Sequence, residues 1–395
     1  MNKLDELIQE LCPDGVEYKS FGDCAKIVRG ASPRPIKNFI TTEPDGVNWI
    51  KIGDVKPGEK YITSSAEKIT LDGAKKSRPV KKGDFILSNS MSFGRPYILK
   101  IDGCVHDGWL AISEFSDSYV SDFLYYLLSS NMCQNQMKKK ASFGGAVQNL
   151  NADIVRELSL PVPPLEVQQE IVYLLDDFTA KTAELLDELN REYEARKKQY
   201  NYYRSQLLDG DSETPKMKLK NVLTIQRGKR VVKTELSKDG DYPVYQNALA
   251  PMGYYHLKNR NKDNTYLISA GAAGSIGYST NDFWAADDCF TFECSEVLDN
   301  KFLYYSLLNK QAAINLKIRD ASIPRLSRDS LENIIISIPP LNNQKKIVEI
   351  LDKLDCARST LQSNISIELE SRQKQYEYYR DKLLTFKELN ESEVN

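Results

Sequence analysis

Apolar and aromatic side chains recur at positions 171, 175, 178, 185, 189, 193, 200, 203 and 207, and again at 347, 351, 354, 361, 365, 369, 376, 379 and 383. The steps are three or four residues, with Thr182 and Arg196 filling the remaining slots of the first stretch. This period predicts two long helices, each with a narrow apolar seam, and a four–four step near Leu189 reads as a stutter in the first. Residues 165–208 contain neither Pro nor Gly; Pro163 and Pro164 precede them and Gly210 follows, which are helix start and stop signals. At 1.5 Å per residue such a helix spans about 66 Å.

The two stretches are copies. PPLEVQQEIVYLLDDF and RKKQYNYYRSQLL match PPLNNQKKIVEILDKL and RQKQYEYYRDKLL at a constant offset of 176, which pairs Pro164 with Pro340, Gln168 with Gln344, Ile171 with Ile347, Leu175 with Leu351, Tyr200 with Tyr376 and Arg204 with Arg380. A narrow seam on so long a helix needs a partner, and the other copy is the nearest. The first helix leaves one globular region and enters the next, and the second must run back. The pair is therefore predicted to be an antiparallel coiled coil that closes the molecule almost into a ring.

The regions before the helices are related more loosely. FGDCAKIVRG matches LKNVLTIQRG, DFLYYLLSSN matches KFLYYSLLNK, and NLNADIVRELSLPVP matches RLSRDSLENIIISIP. Short apolar runs predict strands at Ala25–Arg29, Trp49–Ile52, Phe85–Ser88 and Leu158–Val162, and in the second copy at Leu223–Arg227, Tyr266–Ser269, Phe290–Glu293 and Ile334–Ile338. Helices are predicted near 121–130 and 301–309. The fold expected is two mixed α/β globules, 1–160 and 210–336, with helical spacers at 161–209 and 337–387 and a tail at 388–395, in pseudo-two-fold order.

Composition narrows the function. The chain is 41% hydrophobic and 27% charged, with a net charge of −2, and no apolar run reaches the length of a membrane span. The start, MNKLDELIQELCPDG, is acidic and amphipathic, unlike a secretory signal. Seven cysteines without a C-x-x-C pair suit reduced thiols and a cytoplasmic setting. Residues 161–209 carry ten acidic and six basic side chains, so the mild basic excess falls in the globules, which fits contact with phosphate. There is no N-P-P-Y or D-P-P-F run for a base-amino methyltransferase and no G-x-x-x-x-G-K-[ST] phosphate loop. The glycine-rich GAAGSIG (271–277) lacks a lysine and reads as a tight turn between strands. His106 and His256 have no triad context, so no catalytic residue and no metal site is expected in this chain.

The constellation P-P-L-x-x-Q-x-x-I-V before a long amphipathic helix, present twice and each time after a shorter α/β region, resembles the specificity subunit of type I restriction–modification systems. The resemblance rests on Pro163-Pro164-Leu165, Gln168 and Ile171, on Pro339-Pro340-Leu341, Gln344 and Ile347, and on the R-x-K/Q-Q-Y-x-Y-Y-R-x-x-L-L helix ends. The loops GGAVQNLN (144–151) and ASIPRLS (321–327) belong to it too, although Ala321-Ser322 stands where a Gly is more usual. It implies that each globule is a target recognition domain reading one half of a bipartite DNA sequence, with the helices fixing the gap. It also implies two methyltransferase subunits holding S-adenosylmethionine and motor-nuclease subunits in the full complex, while this chain binds no cofactor and catalyses nothing. The competing reading is a coiled-coil scaffold whose globules bind protein.

Base readout needs Arg or Lys for guanine and Asn or Gln for adenine, with basic or hydroxyl groups for phosphate. In the first globule these requirements select Ser32, Arg34, Asn89, Ser90, Arg95, Lys138, Lys139, Lys140, Ser142 and Phe143. In the second they select Arg230, Gln246, Asn247, Tyr255, His256, Arg260, Arg319 and Arg325. The tyrosine clusters 200/202/203 and 376/378/379 are expected to pack at the helix ends, and Gln168 and Gln344 to make polar contacts at the helix starts.

Overall fold

The computed structural model describes residues 3–55, 58–89, 93–141, 150–237 and 240–389. Two long helices run over Leu165–Asp209 and Leu341–Leu383, and Gly210, at φ +66°, ends the first in the left-handed conformation a glycine adopts freely. The chain divides into two compact units, Met1–Leu186 with Glu368–Asn395, and Asp187–Ile367. Both boundaries fall inside the long helices and not at the globule edges expected from sequence. The reason is packing: Val167, Ile171, Leu175 and Leu384 belong to the core of the first unit, and Leu208 and Leu351 to that of the second.

The first unit has two five-stranded sheets. One orders its strands Lys26–Arg29, Trp109–Ser113, Phe85–Ser88, Pro96–Leu99 and Tyr61–Ile62, antiparallel except for the last pair. The other is mixed and orders Ile40–Thr41, Glu67–Ile69, Val47–Ile50, Gly103–Val105 and Arg78–Val80. Phe85, Leu87, Leu110 and Ile112 face a core closed by helix Ser121–Ser129, while Ile86, Tyr97, Trp109 and Ala111 face a second apolar layer with Ile50 and Val105. Strands buried on both faces read as continuous apolar runs, which is why these runs carry no alternation in the sequence. The strand expected at Trp49–Ile52 ends at Ile50, because the Asp54 carboxylate accepts the Lys51 N–H at 2.7 Å and turns Ile52–Asp54 into a short 3₁₀ helix.

The second unit is a smaller version. Leu223–Arg227, Cys289–Cys294, Asn264–Ile268 and Ile276–Ser279 form a four-stranded antiparallel sheet, flanked by a three-stranded sheet of Tyr254–Tyr255, Tyr242–Tyr245 and Trp284–Ala285. Helix Asn300–Asn309 packs on it. GAAGSIG is the hairpin turn expected, with Gly271 and Gly274 both at φ +84°.

Within each unit the long helices run antiparallel. In the first, Phe178 meets the rings of Tyr376 and Tyr379 at 5.8 and 6.5 Å. In the second, the Tyr193 hydroxyl donates to Gln362 at 3.2 Å and Tyr200 lies beneath Arg358. The seam follows the predicted stripe except at Arg196, Tyr203, Leu369 and Tyr379, which are exposed; Arg380, next to Tyr379, takes the buried place over Tyr376. Of the tyrosine clusters, Tyr200 and Tyr376 pack as expected, whereas Tyr202/Tyr203 and Tyr378/Tyr379 stand exposed as edge-to-face pairs.

The helix starts repeat in detail. Gln168 is fully buried; its carbonyl accepts the Val120 N–H at 2.8 Å and its amide donates to the Ser118 and Pro163 carbonyls. Gln344 does the same with the Asp299 N–H and the Val297 and Pro339 carbonyls. Each glutamine ties the globule to its helix by satisfying groups that burial would otherwise leave bare.

Candidate nucleic-acid interface

A strand ending in Arg-Gly builds the candidate site in each unit. Gly30 lies so close to its neighbour that a β-carbon there would fall 2.0 Å from the His106 carbonyl oxygen, and at Gly228 a β-carbon would fall 2.0 Å from that of Ala286. Only glycine permits this approach. The Gly30 N–H then donates to the Trp109 carbonyl at 2.8 Å and the Gly228 N–H to that of Cys289 at 3.0 Å. The preceding arginines complete the clamp: Arg29 Nε donates to the Asp107 carbonyl at 3.3 Å and Arg227 Nε to the Asp287 carbonyl at 2.7 Å. The turn before the strand that pairs with the Arg-Gly strand, Trp109–Ser113 or Cys289–Cys294, is thus held in the same way twice.

The hairpin beside the clamp repeats as well. Asn89 N–H donates to the Gly108 carbonyl and Ser269 N–H to that of Asp288; the Asn89 and Ser269 carbonyls accept from Leu150 and Leu326. These bonds bring Leu150 and Leu326, which lie just before the short helices Ala152–Arg156 and Arg328–Glu332, to the clamped turn. In the second unit that loop is described: Arg319 and Arg325 pair backbone to backbone, and Gly271 N–H reaches the Pro324 carbonyl.

In the first unit three sequence-selected residues meet at one aspartate, two of them at its carboxylate. Ser32 Oγ donates to Asp107 Oδ1 at 2.7 Å, Arg34 Nη2 to Oδ2 at 3.1 Å, and Asn89 Nδ2 to the Asp107 backbone carbonyl at 2.9 Å. Asn89 is buried, whereas the Arg34 side chain is 81% exposed and free to reach outward. The Ser32 hydroxyl above all, with its backbone setting and Arg34, holds the Asp107 carboxyl below the usual carboxylate range. Arg95 is exposed just past the hairpin turn. Lys138, Lys139 and Lys140 form the exposed last turn of helix Asn131–Lys140, where Lys140 is bound to Glu157 and not to the clamp. Ser90, Ser142 and Phe143 lie outside the described residues, as does most of the loop 144–151.

In the second unit Gln246 Nε2 donates to Asp287 Oδ1 at 3.4 Å, and the Asn247 carbonyl accepts from Ala272. Gln246, Asn247, Arg319 and Arg325 therefore gather at one end of the sheet. Tyr255 and His256 form another group against Trp284, whose indole donates to the Lys229 carbonyl beside the exposed Arg230. Arg260 is turned inward: its guanidinium donates to Thr291 Oγ1 at 2.5 Å and to the carbonyls of Asn259 and Arg227, and burial lowers its pKa. His106 is equally internal. Its two ring nitrogens face the backbone N–H groups of Gly108 and Ile52, its ring lies between Trp49 and Trp109, and burial pulls its pKa below the ordinary value. Sequence reasoning missed Asp107 and Asp287, since a search for phosphate and base contacts passes over acids; the shared R-G before each was the available signal.

Among the described residues no cluster of His, Cys, Asp or Glu could hold a metal ion, and no helix is long and apolar enough to cross a membrane.

A putative type I restriction enzyme specificity subunit of Haemophilus influenzae is 34% identical over 254 residues, 59% of this chain and 65% of that one. A putative type I specificity subunit of Mycoplasma pneumoniae is 33% identical, covering 57% of this chain and 92% of its own length. The EcoprrI specificity subunit of Escherichia coli is 23% identical over 366 residues, 88% of this chain and 89% of that one. The fold is shared with a chain from a structure of the type I R-M system (TM-score 0.77, 17% identity, 95% of this chain and 98% of that one) and with the HsdS subunit from Thermoanaerobacter tengcongensis (TM-score 0.62, 17% identity, 95% and 96%). With residues 13–195 and 211–371 both matching the type I restriction modification DNA specificity domain, this chain belongs to that family.

Proposed function

We propose that this chain is the non-catalytic DNA-recognition subunit of a type I restriction–modification complex, in which each unit reads one half of a bipartite duplex target and the long helices set the gap. The observation that carries the reading is the repeated Arg-Gly clamp, which presents Ser32 and Arg34 in one unit and Gln246 in the other on a rigid frame. Arg and Gln are side chains that match guanine and adenine edges in the major groove. Half-site centres are expected about one helical turn, ~10 bp, apart.

Two methyltransferase subunits dock on this chain in the proposed complex, bring S-adenosylmethionine and methylate adenine, and motor-nuclease subunits join them in the cytoplasm. What supports docking along the helices is the repeated pair of exposed tyrosines, Tyr202/Tyr203 and Tyr378/Tyr379, since Tyr is enriched at protein interfaces.

Methylome sequencing of a host carrying this chain and its methylating partner tests the reading. A single two-part motif modified on both strands is expected. Fluorescence anisotropy with pooled duplexes, with and without the partner, should show sequence preference in at least one state; none in either state sinks DNA recognition and leaves the scaffold. Inserting four residues after both Leu189 and Ile365 should widen the gap and keep the half-sites.

A further inference from the structure

Asp107 and Asp287 occupy the same place in the two units. Each lies in the turn before the strand that pairs with the Arg-Gly strand, Trp109–Ser113 or Cys289–Cys294. Each gives its backbone carbonyl to the clamping arginine, Arg29 or Arg227. Each carboxylate then accepts from a side chain suited to reading a base: Arg34 and, with it, Ser32 in the first unit, Gln246 in the second. The frame is common and the side chain held is not.

An acid on a surface that meets phosphates opposes binding, because it adds a repulsive charge where counter-ions are to be released. Its presence twice, fixed by the same clamp, calls for a gain that offsets this cost. The gain is preorganisation. Arg34 is a long side chain at an exposed site, and ordering it on binding costs conformational entropy unless it is already held. A carboxylate at 3.1 Å holds the guanidinium through one nitrogen and leaves the other donors for a base edge. The same charge weakens engagement of phosphate by any sequence, and only a target whose base edge meets the aligned side chain offsets that cost.

We infer that Asp107 and Asp287 are specificity-determining positioning residues, each aligning the base-reading side chains of its own unit and penalising loose, sequence-independent binding to DNA. This rests on the DNA-recognition reading above and adds to it which residues set selectivity in each half.

The test uses the full chain with its methylating partner and a randomised pool of duplexes, comparing the wild type with Asp107→Asn and Asp287→Asn. Asparagine keeps the shape and one acceptor and removes the charge. Asp107→Asn should lower discrimination at one half-site by about tenfold while affinity for random duplex rises, and the other half-site should stay as selective as before. Asp287→Asn should do the reciprocal. Arg34→Ala should relax the same half-site as Asp107→Asn. If Asp107→Asn weakens binding to all duplexes alike, or leaves both halves as selective as the wild type, the inference fails. A wild type that selects no sequence removes the DNA reading itself, and the inference with it. Melting temperatures of the variants report folding, and should one aspartate prove necessary for it, the other unit carries the same test.

Discussion

The two units hold the same frame and fill it differently. Clamp, hairpin and glutamine anchor recur bond for bond, from Gly30 and Gly228 to Gln168 and Gln344. Around that frame the first unit adds a five-stranded sheet with His106 in the turn, and the second a three-stranded sheet with Ala286 at the same place. The first offers Ser32 and Arg34 to its aspartate and the second Gln246, while Arg260 is drawn inside. Duplication has kept what fixes position and changed the side chains that the frame holds. Loops held by a rigid scaffold can vary in this way at little cost to stability.

The shared frame fails most directly at its two glycines. Gly30→Ala and Gly228→Ala each force a methyl group against a backbone carbonyl, and each should destabilise its own unit by about 3 kcal/mol or more in urea titrations followed by tryptophan fluorescence. Trp49 and Trp109 report the first unit and Trp284 the second. Equal losses are expected; a tolerated alanine in either unit denies that the close approach is required there. Gln168→Ala and Gln344→Ala should follow at about 2–3 kcal/mol each, because each strands a buried N–H and two carbonyls. A cost confined to one of them would show that the anchors are not equivalent.

The content of the frame gives smaller and more selective effects. Arg34→Ala should weaken binding to the target by about 1–3 kcal/mol at one half-site with little change in stability, read by competition anisotropy. Arg260→Ala should behave oppositely, lowering stability before selectivity, since its donors are spent within the sheet. Acid separates the units last. The pKa of His106 is lower in the folded protein than in the unfolded chain, so as pH falls below the unfolded value of 6.5 the unfolded chain takes up the proton first. The first unit should lose stability over that window, down to the folded value, and the second should not lose it for this reason. In a Trp284→Phe background, denaturation midpoints between pH 7 and 5 should fall for the native sequence and less steeply for His106→Gln.

Much of this was legible in the chain and the remainder was not, for physical reasons. The long helices show in the sequence because a seam repeated over many turns leaves a periodic trace, and Gln168 with Gln344 because an offset of 176 marks them. Strands such as Phe85–Ser88 and Leu223–Arg227 were readable as apolar runs. Most of the second sheet of the first unit was not: strands such as Ile40–Thr41 and Glu67–Ile69 are two or three residues long and stabilised by neighbours distant in sequence. Helix Lys3–Leu11 gives an amphipathic signal, but nothing local tells that it seats against the long helices, with Leu4 buried and Lys3 paired with Glu170. At the site, residue type selected Ser32, Arg34, Asn89 and Gln246, whereas the acids that gather them, and the inward turn of Arg260, depend on which backbone atoms the fold brings near.

The first unit is discontinuous, and this has a consequence for synthesis. Val16 bridges to Glu388, Asn131 binds Asp381, and Leu384 is buried in that unit's core. The second unit has all its parts once residue 367 has left the ribosome, but the first awaits a segment made some twenty residues later. Folding should therefore finish in the reverse of translation order, with the earlier-made globule still incomplete while the later one is already closed.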